Sequence, residues 1–85
     1  MSVMKIFTVR DVKAEAYLNP FVMRSKGEAI RGFSDEVARK DSAIGAHPAD
    51  YILFLIGEFD DQTGEITRYA APENCGVGSD FLVTE

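Results

Sequence analysis

The stretch YILFLIGEF, from Tyr51 to Phe59, decides the fold. Aromatic and branched residues occupy its odd and its even positions alike, so an extended chain here is apolar on both faces. Such a stretch is typical of a strand in the middle of a sheet, where both faces are covered. We therefore predict a central β-strand with both faces buried.

A hairpin is predicted directly after this strand. The cluster Asp60-Asp61-Gln62-Thr63-Gly64 favours a turn, and Glu65 to Tyr69 can return beside the preceding strand. Glycine and small polar residues beyond Pro72 indicate a loop. Phe81 to Val83 can add a last strand or dock on a partner chain.

Two strands are predicted upstream of the helix. Met4 to Val9 is rich in Ile, Phe, Thr and Val and predicts the first strand, whereas Phe21 to Met23 predicts a second, short one. Ala14 to Asn19, between them, is either irregular or briefly helical, and Pro20 ends it because the residue before a proline avoids helical angles.

A helix is predicted to begin at Ser25-Lys26-Gly27-Glu28, where the Ser hydroxyl and the Glu carboxylate can accept hydrogen bonds from backbone amides. One apolar stripe at helical spacing should lie on the sheet: Ala29, Ile30, Phe33 and Val37. The opposite side carries charges three or four residues apart, which can pair along the surface: Glu28, Arg31, Asp35 and Arg39.

These elements predict an α+β fold, with a small antiparallel sheet of three to four strands and one main helix packed on one face. We assign residues 1–72 to a single α+β domain and residues 73–85 to a C-terminal tail that can serve as a partner-docking strand. One helix covers one face, so we expect the second face to be buried between two copies in a homodimer.

Composition narrows the class of protein. Hydrophobic residues make up 46% and charged residues 27% of the 85, which is typical of a packed domain. The longest apolar run, Tyr51 to Ile56, is far shorter than the roughly 20 residues of a membrane span. A signal peptide is not expected either, because the sequence lacks a basic start followed by a hydrophobic stretch. The single cysteine excludes an internal disulfide and suits a reducing compartment, so we expect a cytoplasmic protein.

Charge is distributed unevenly along the chain. The net charge is −5, yet residues 1–40 hold eight of the nine Lys and Arg, and residues 41–85 hold only Arg68 against nine acids. Strong non-specific binding to nucleic acid requires many Lys and Arg to neutralise phosphates. Any contact with nucleic acid is therefore expected to be weak and to use the first half.

Residues that could catalyse a reaction are scarce. His47 is the only histidine and has no sequence neighbours that would complete a metal site, so a role in a turn or on the surface is favoured. Cys75 has no basic neighbour that would lower its pKa, which predicts an ordinary thiol. We expect a protein that is not an enzyme and that has no cofactor or metal.

One basic set is the candidate DNA-binding site, and aromatic residues Phe21 and Phe33 are interleaved with it. Its members are Arg24, Lys26, Arg31, Arg39 and Lys40. The alternative interpretation is a solvated helix face, because Phe33 belongs to the apolar stripe and Arg31 and Arg39 have acidic neighbours.

Two blocks of the sequence carry a family resemblance. They run KIFTVRDVKAEAY and NPFVMRSKGEAIRGFSDEV within residues 5–37, and HPADYILFLIGEFDDQTGEI at residues 47–66. The most specific parts are Lys-x-Glu-Ala-Tyr, Ser-Lys-Gly-x-Ala-Ile-Arg-x-Phe and His-Pro-x-Asp-Tyr. In these parts the chain resembles the small nonstructural protein of gokushoviruses, which are tailless single-stranded DNA phages of the Microviridae.

The resemblance implies a DNA-binding accessory of single-stranded DNA synthesis and genome packaging in the host cytoplasm. On this interpretation the basic helix face contacts single-stranded or replicative-form DNA weakly, and the acidic half meets a basic protein such as the phage replication initiator or the procapsid. The alternative is an acidic protein-protein interaction adaptor with no direct DNA contact.

Overall fold

The computed structural model describes residues 3–82. The strands are β1 (Val3–Asp11), β2 (Ala16–Tyr17), β3 (Phe21–Met23), β4 (Tyr51–Asp60) and β5 (Ile66–Val77), and the helices are α1 (Lys26–Ala38) and α2 (Ala43–Ala46). Short 3-10 helices span Pro48–Asp50 and Gly78–Phe81. The strand order is β2-β1-β4-β5, and β3 also pairs with β1; all pairs are antiparallel. The predicted α+β class with one main helix is confirmed, and the sheet has five strands where three to four were expected.

Strand β4 lies at the centre of the sheet, between β1 and β5. Its odd residues Tyr51, Leu53 and Leu55 are buried beneath the helix layer, whereas Ile52 and Phe54 on the other face are only partly buried. The prediction of a central strand is confirmed. Within the single chain, one layer of helix covers one face only, and burial of the other face by a second copy stays a prediction.

The core joins the sheet to α1. It contains Phe7 and Val9 of β1, Tyr51, Leu53 and Leu55 of β4, and Ala29, Phe33 and Val37 of α1. Phe7 and Leu53 are fully buried, so β1 and β4 supply the centre of the core. The predicted apolar stripe of the helix is confirmed, with Ile30 packed at the margin.

Helix α1 begins where the sequence predicts. The Ser25 Oγ accepts a hydrogen bond from the Glu28 amide at 3.1 Å, which satisfies one of the free donors at the helix start. The Glu28 carboxylate accepts from the Arg24 amide at 3.3 Å, one residue earlier than a standard capping box. This interaction holds Arg24 beside the first turn.

The hairpin between β4 and β5 is also confirmed. Asp60 Oδ1 accepts from the amides of Gln62 and Thr63, and Gly64 has a φ of 79°, a backbone angle that glycine adopts without steric cost. These features reverse the chain so that Ile66 lies opposite Phe59.

Strand β5 continues well beyond the predicted hairpin partner. It pairs with β4 through residues 66–68 and again through residues 73–77, and the segment between is out of register. Pro72 lies in that segment, where its lack of an amide hydrogen removes no ladder bond. The predicted boundary between residues 72 and 73 falls inside this strand.

The remaining connections differ from the sequence-based expectations in detail. Ala16–Tyr17 pairs with β1 as a short strand instead of forming an irregular or helical piece. Residues 41–49, which follow the main helix, include the short helix α2. Phe81 belongs to a 3-10 helix, and its ring packs edge-on against Phe33 at 5.8 Å, while Val83 lies outside the described residues.

Removal of the Ser25 hydroxyl should destabilise the protein. Ser25→Ala leaves the Glu28 amide without its acceptor and should lower the free energy of unfolding by about 0.5 to 2 kcal/mol. Thermal and urea denaturation measure the change. Ser34→Ala, inside α1, is the control and should leave stability equal or slightly higher because Ala favours helix. Equal stability of Ser25→Ala and the parent would contradict this role for Ser25.

A glycine-to-alanine pair tests the close approach of β4 and β5. A Cβ on Gly57 would lie 2.3 Å from the Thr67 carbonyl oxygen, so Gly57→Ala must push the two strands apart. We expect a loss of about 1 to 3 kcal/mol, as in other overpacked sites. Gly32→Ala meets no atom within 4 Å and lies in α1, so it should raise stability by about 0.5 to 1 kcal/mol. The opposite order of the two melting temperatures would refute the argument.

Candidate nucleic-acid interface

The predicted DNA-binding set lies along one element. Arg24 precedes α1, Lys26 and Arg31 lie on it, and Arg39 and Lys40 follow its last turn, all of them exposed. A helix rises about 1.5 Å per residue, so the set extends over roughly 20 Å. The structure therefore distributes these residues along α1 and its two ends without gathering them into a compact patch.

Two members of the set already have acidic partners. Lys26 Nζ forms an ion pair with Glu73 of β5, and this hydrogen bond raises the pKa of Lys26. Arg39 lies 3.6 Å from a carboxylate oxygen of Glu36 and at the same distance from one of Asp41. All these groups are solvent-exposed, so the pairs stabilise the fold little, but they reduce the charge available to a phosphate.

Arg24, Arg31 and Lys40 form no ion pair with any residue in 3–82. The expected charge ladder on α1 is therefore wrong: Arg31 pairs with neither Glu28 nor Asp35. These three cations are the members of the predicted set that have no carboxylate oxygen within 4.0 Å in the described chain.

The two aromatic residues near the basic set are not available to a base. Phe33 is 5% exposed and belongs to the core. Phe21 stacks on Phe7 with ring centroids 5.8 Å apart. The basic set can therefore bind phosphate, but these rings add no stacking to it.

The strand register defines a second surface, which we call the open face: the side of the sheet that α1 does not cover. Directly paired residues share a face, and side chains alternate along a strand. Ile6, Thr8 and Arg10 of β1 therefore lie on the open face with Ile52, Phe54 and Ile56 of β4, Tyr17 of β2, and Ile66, Arg68 and Asn74 of β5.

The same register separates charge across the sheet. Arg10 and Arg68 are the charged strand residues of the open face within the described chain, and neither forms an ion pair there. The strand carboxylates all fall on the helix side: Asp11, Glu58, Asp60 and Glu73. An overall acidic chain thus has one sheet face that is positively charged.

Sequence reasoning missed Arg10 and Arg68. Arg10 lies just beyond the predicted first strand, Met4 to Val9, and Arg68 is the single base of residues 41–85. The alternation in β1 is a usable signal for Arg10, because it places Arg10 on the same side as Thr8 and Ile6. The face on which Arg68 lies follows from its pairing with Gly57 of β4. The irregular pairing of β5 means that this face cannot be read from the sequence.

The other residues weighed for chemistry are placed as follows. His47 is exposed in the turn between α2 and the next 3-10 helix, where its amide donates to the Ala43 carbonyl at 3.0 Å. Burial raises the pKa of the Cys75 thiol, and the nearby Glu73 charge adds to the effect. Within residues 3–82, no three His, Cys, Asp or Glu side chains come together as a metal site.

None of the helices found between residues 3 and 82 is long and apolar enough to cross a bilayer.

By its architecture this is a small two-layer α+β protein, one antiparallel sheet with one main helix on one face. A family model of the phage ORF5 protein matches residues 4–81, which is nearly the whole chain. The chain therefore belongs to the phage ORF5 protein family. No curated protein and no solved structure matches it significantly.

On the helix side of the sheet, a hydrogen bond between Tyr69 and Glu58 changes the pKa of Tyr69. Tyr69 Oη donates a 2.7 Å hydrogen bond to Glu58 Oε2, which raises the pKa of Tyr69 to about 12. The bond favours the neutral phenol, so its contribution to stability is complete below the ordinary pKa of 10.0 and is lost as the pH rises through about 12.

Glu58→Gln removes the negative charge and should shift the Tyr69 pKa back toward its ordinary value. The ultraviolet absorbance of tyrosinate, followed against pH, measures the shift, and Tyr69→Phe identifies which part of the titration belongs to this residue. An unchanged titration in Glu58→Gln would show that Glu58 does not control Tyr69.

Proposed function

We propose that this protein is a nonstructural DNA-binding accessory of a single-stranded DNA phage of the Microviridae, acting in single-stranded DNA synthesis and genome packaging in the host cytoplasm. Membership of the phage ORF5 protein family over residues 4–81 carries this proposal. The gokushovirus-like motifs support the Microviridae as the kind of phage. The cations without an ion-pair partner in the described chain, Arg24, Arg31 and Lys40, provide a means of contact with DNA.

Phosphate contacts in this proposal come from the basic set around α1. Arg24, Arg31 and Lys40 supply the free charge, whereas Lys26 and Arg39 contribute less because carboxylates already neutralise them. A net charge of −5 opposes tight binding to a polyanion. The protein is therefore a weak, salt-sensitive binder, suited to recruiting DNA and not to coating it.

The acidic residues give the accessory a second contact. Glu58, Asp60 and Glu73 give the helix side of the sheet an acidic surface beside the α1 cations. Such a surface attracts a basic partner, and the phage replication initiator and the procapsid proteins are the partners we propose. DNA and protein would then be held by differently charged parts of one small domain.

The second candidate function is an acidic protein-protein interaction adaptor with no direct DNA contact. The net charge of −5 and the carboxylates on the helix side of the sheet favour it. Both candidates predict binding to a basic protein. Only the first predicts binding to DNA, so DNA binding decides between them.

Fluorescence anisotropy with a labelled single-stranded oligonucleotide tests the proposal. Binding is expected at about 20 mM salt, and two to four phosphate contacts on a single strand should give a slope of log affinity against log salt of roughly −1.4 to −2.8. Arg31→Gln with Lys40→Gln should make this slope about 1.4 less steep, at about 0.7 per lost contact.

Arg39→Gln is the matched control, because Glu36 and Asp41 already compensate that charge. It should change the slope less than either free cation does. Absence of any binding by the parent protein at low salt would remove the DNA-binding proposal and leave the adaptor.

A further inference from the structure

An aromatic pair lies on the open face beside an arginine. The rings of Tyr17 and Phe54 meet edge to face, with centroids 6.1 Å apart and planes at 67°. The guanidinium carbon of Arg10 lies 5.3 Å from the Tyr17 ring centroid, a cation–π distance. Tyr17 is nevertheless 50% exposed, so part of its ring is available to a ligand.

An apolar groove extends from this aromatic pair along the open face. Thr8 and Ile56 lie at its base, and the segment after β2 forms one wall, where the Thr8 hydroxyl donates to the Leu18 carbonyl at 2.7 Å. Arg68 and Pro72 of β5 form the other wall. This part of the groove has a volume of about 190 Å³ and continues past Ile56 toward Ile66, which is 67% exposed.

The combination of these groups limits what can occupy the groove. Apolar and aromatic side chains offer a surface for flat, uncharged rings, and the two arginines at the groove, one near each wall, attract negative charge. No strand carboxylate of the described chain lies on this face. A ligand that alternates flat rings with anionic groups fits both features, and single-stranded nucleic acid is such a ligand.

A second copy of the chain fits less well. In a two-fold symmetric dimer the same surface meets itself, so the open faces would bring Arg10 and Arg68 of both copies into one interface. The strand carboxylates that would neutralise them lie on the other side of each sheet. Burying charge without compensation is unfavourable. The homodimer expected from the sequence stays a prediction that competes for this surface.

We propose that the open face binds single-stranded DNA, with bases stacked on Tyr17 and Phe54 and phosphates bound by Arg10 and Arg68. This inference rests on the proposed function and adds to it a surface separate from the α1 cations. Duplex DNA binds this face poorly, because its bases are already stacked and paired and cannot reach the aromatic rings.

Substitution of Tyr17 tests the stacking step. Tyr17→Leu keeps an apolar side chain but removes the ring, and should weaken binding of a labelled oligothymidylate by about five-fold or more. Tyr17→Phe keeps the ring and should bind as the parent does. Both variants should retain the parent melting temperature, because Tyr17 lies outside the core.

A charge-matched pair of double variants tests the phosphate step. Arg10→Gln with Arg68→Gln should make the salt slope on single strands about 1.4 less steep, and should leave little preference for single-stranded over duplex DNA. Arg31→Gln with Lys40→Gln removes the same charge from the α1 side. It should weaken binding to both forms of DNA alike, because those cations have no neighbouring exposed ring.

Each result has a distinct meaning. If the parent binds no DNA, the proposed function fails together with this inference. If the parent binds but Tyr17→Leu and the Arg10 and Arg68 double variant bind equally well, this inference alone is overturned. The remaining case is a homodimer formed through the open face, and sedimentation equilibrium tests it. A dimer that Ile66→Asp converts to a monomer would assign the open face to a second copy and overturn the inference.

Discussion

The pairing of β1 with β4 is the constraint on which the rest of the structure depends. Their antiparallel register brings Phe7 opposite Leu55 and Val9 opposite Leu53, and it fixes which side chains point toward α1. A shift by one residue would exchange the two faces, placing Thr8 and Arg10 beneath the helix and the core residues in solvent. The same alignment therefore determines both the core and the location of the charged groups. Stability and surface chemistry cannot be altered independently along these two strands.

Much of the fold could be predicted because its signals are local. The Ser25 cap, the stripe of α1 and the turn after Asp60 each depend on residues close in sequence, and the structure contains all three. The length of β5 could not be predicted in the same way. Pro72 and the glycines near it are typical of loops, and they are tolerated in this strand because the ladder is already interrupted there. Pairing with β4 outweighs the local preference of these residues.

The candidate site was less predictable, because its residues come together only through the register. Sequence reasoning divided the charge along the chain into a basic first half and an acidic second half. The fold instead divides charge across the sheet, and it brings Arg10 from the first half and Arg68 from the second to the same face. The partner of Lys26 could not be read from the sequence, because Glu73 is distant along the chain, whereas the acidic partners of Arg39 are close in sequence. Which cations stay free is a property of the tertiary structure.

The interrupted ladder of β5 has a consequence for self-assembly. β5 lies at the end of the strand order, so one of its edges has no neighbour within the described chain. An unpaired edge is a template on which further chains can stack into fibrils. Here the regular stretches are residues 66–68, 73–74 and 76–77, each shorter than the about six residues from which cross-β stacks are built. Pro72 stands between them without an amide hydrogen to offer. The free edge of β5 is thereby a poor template for polymerisation.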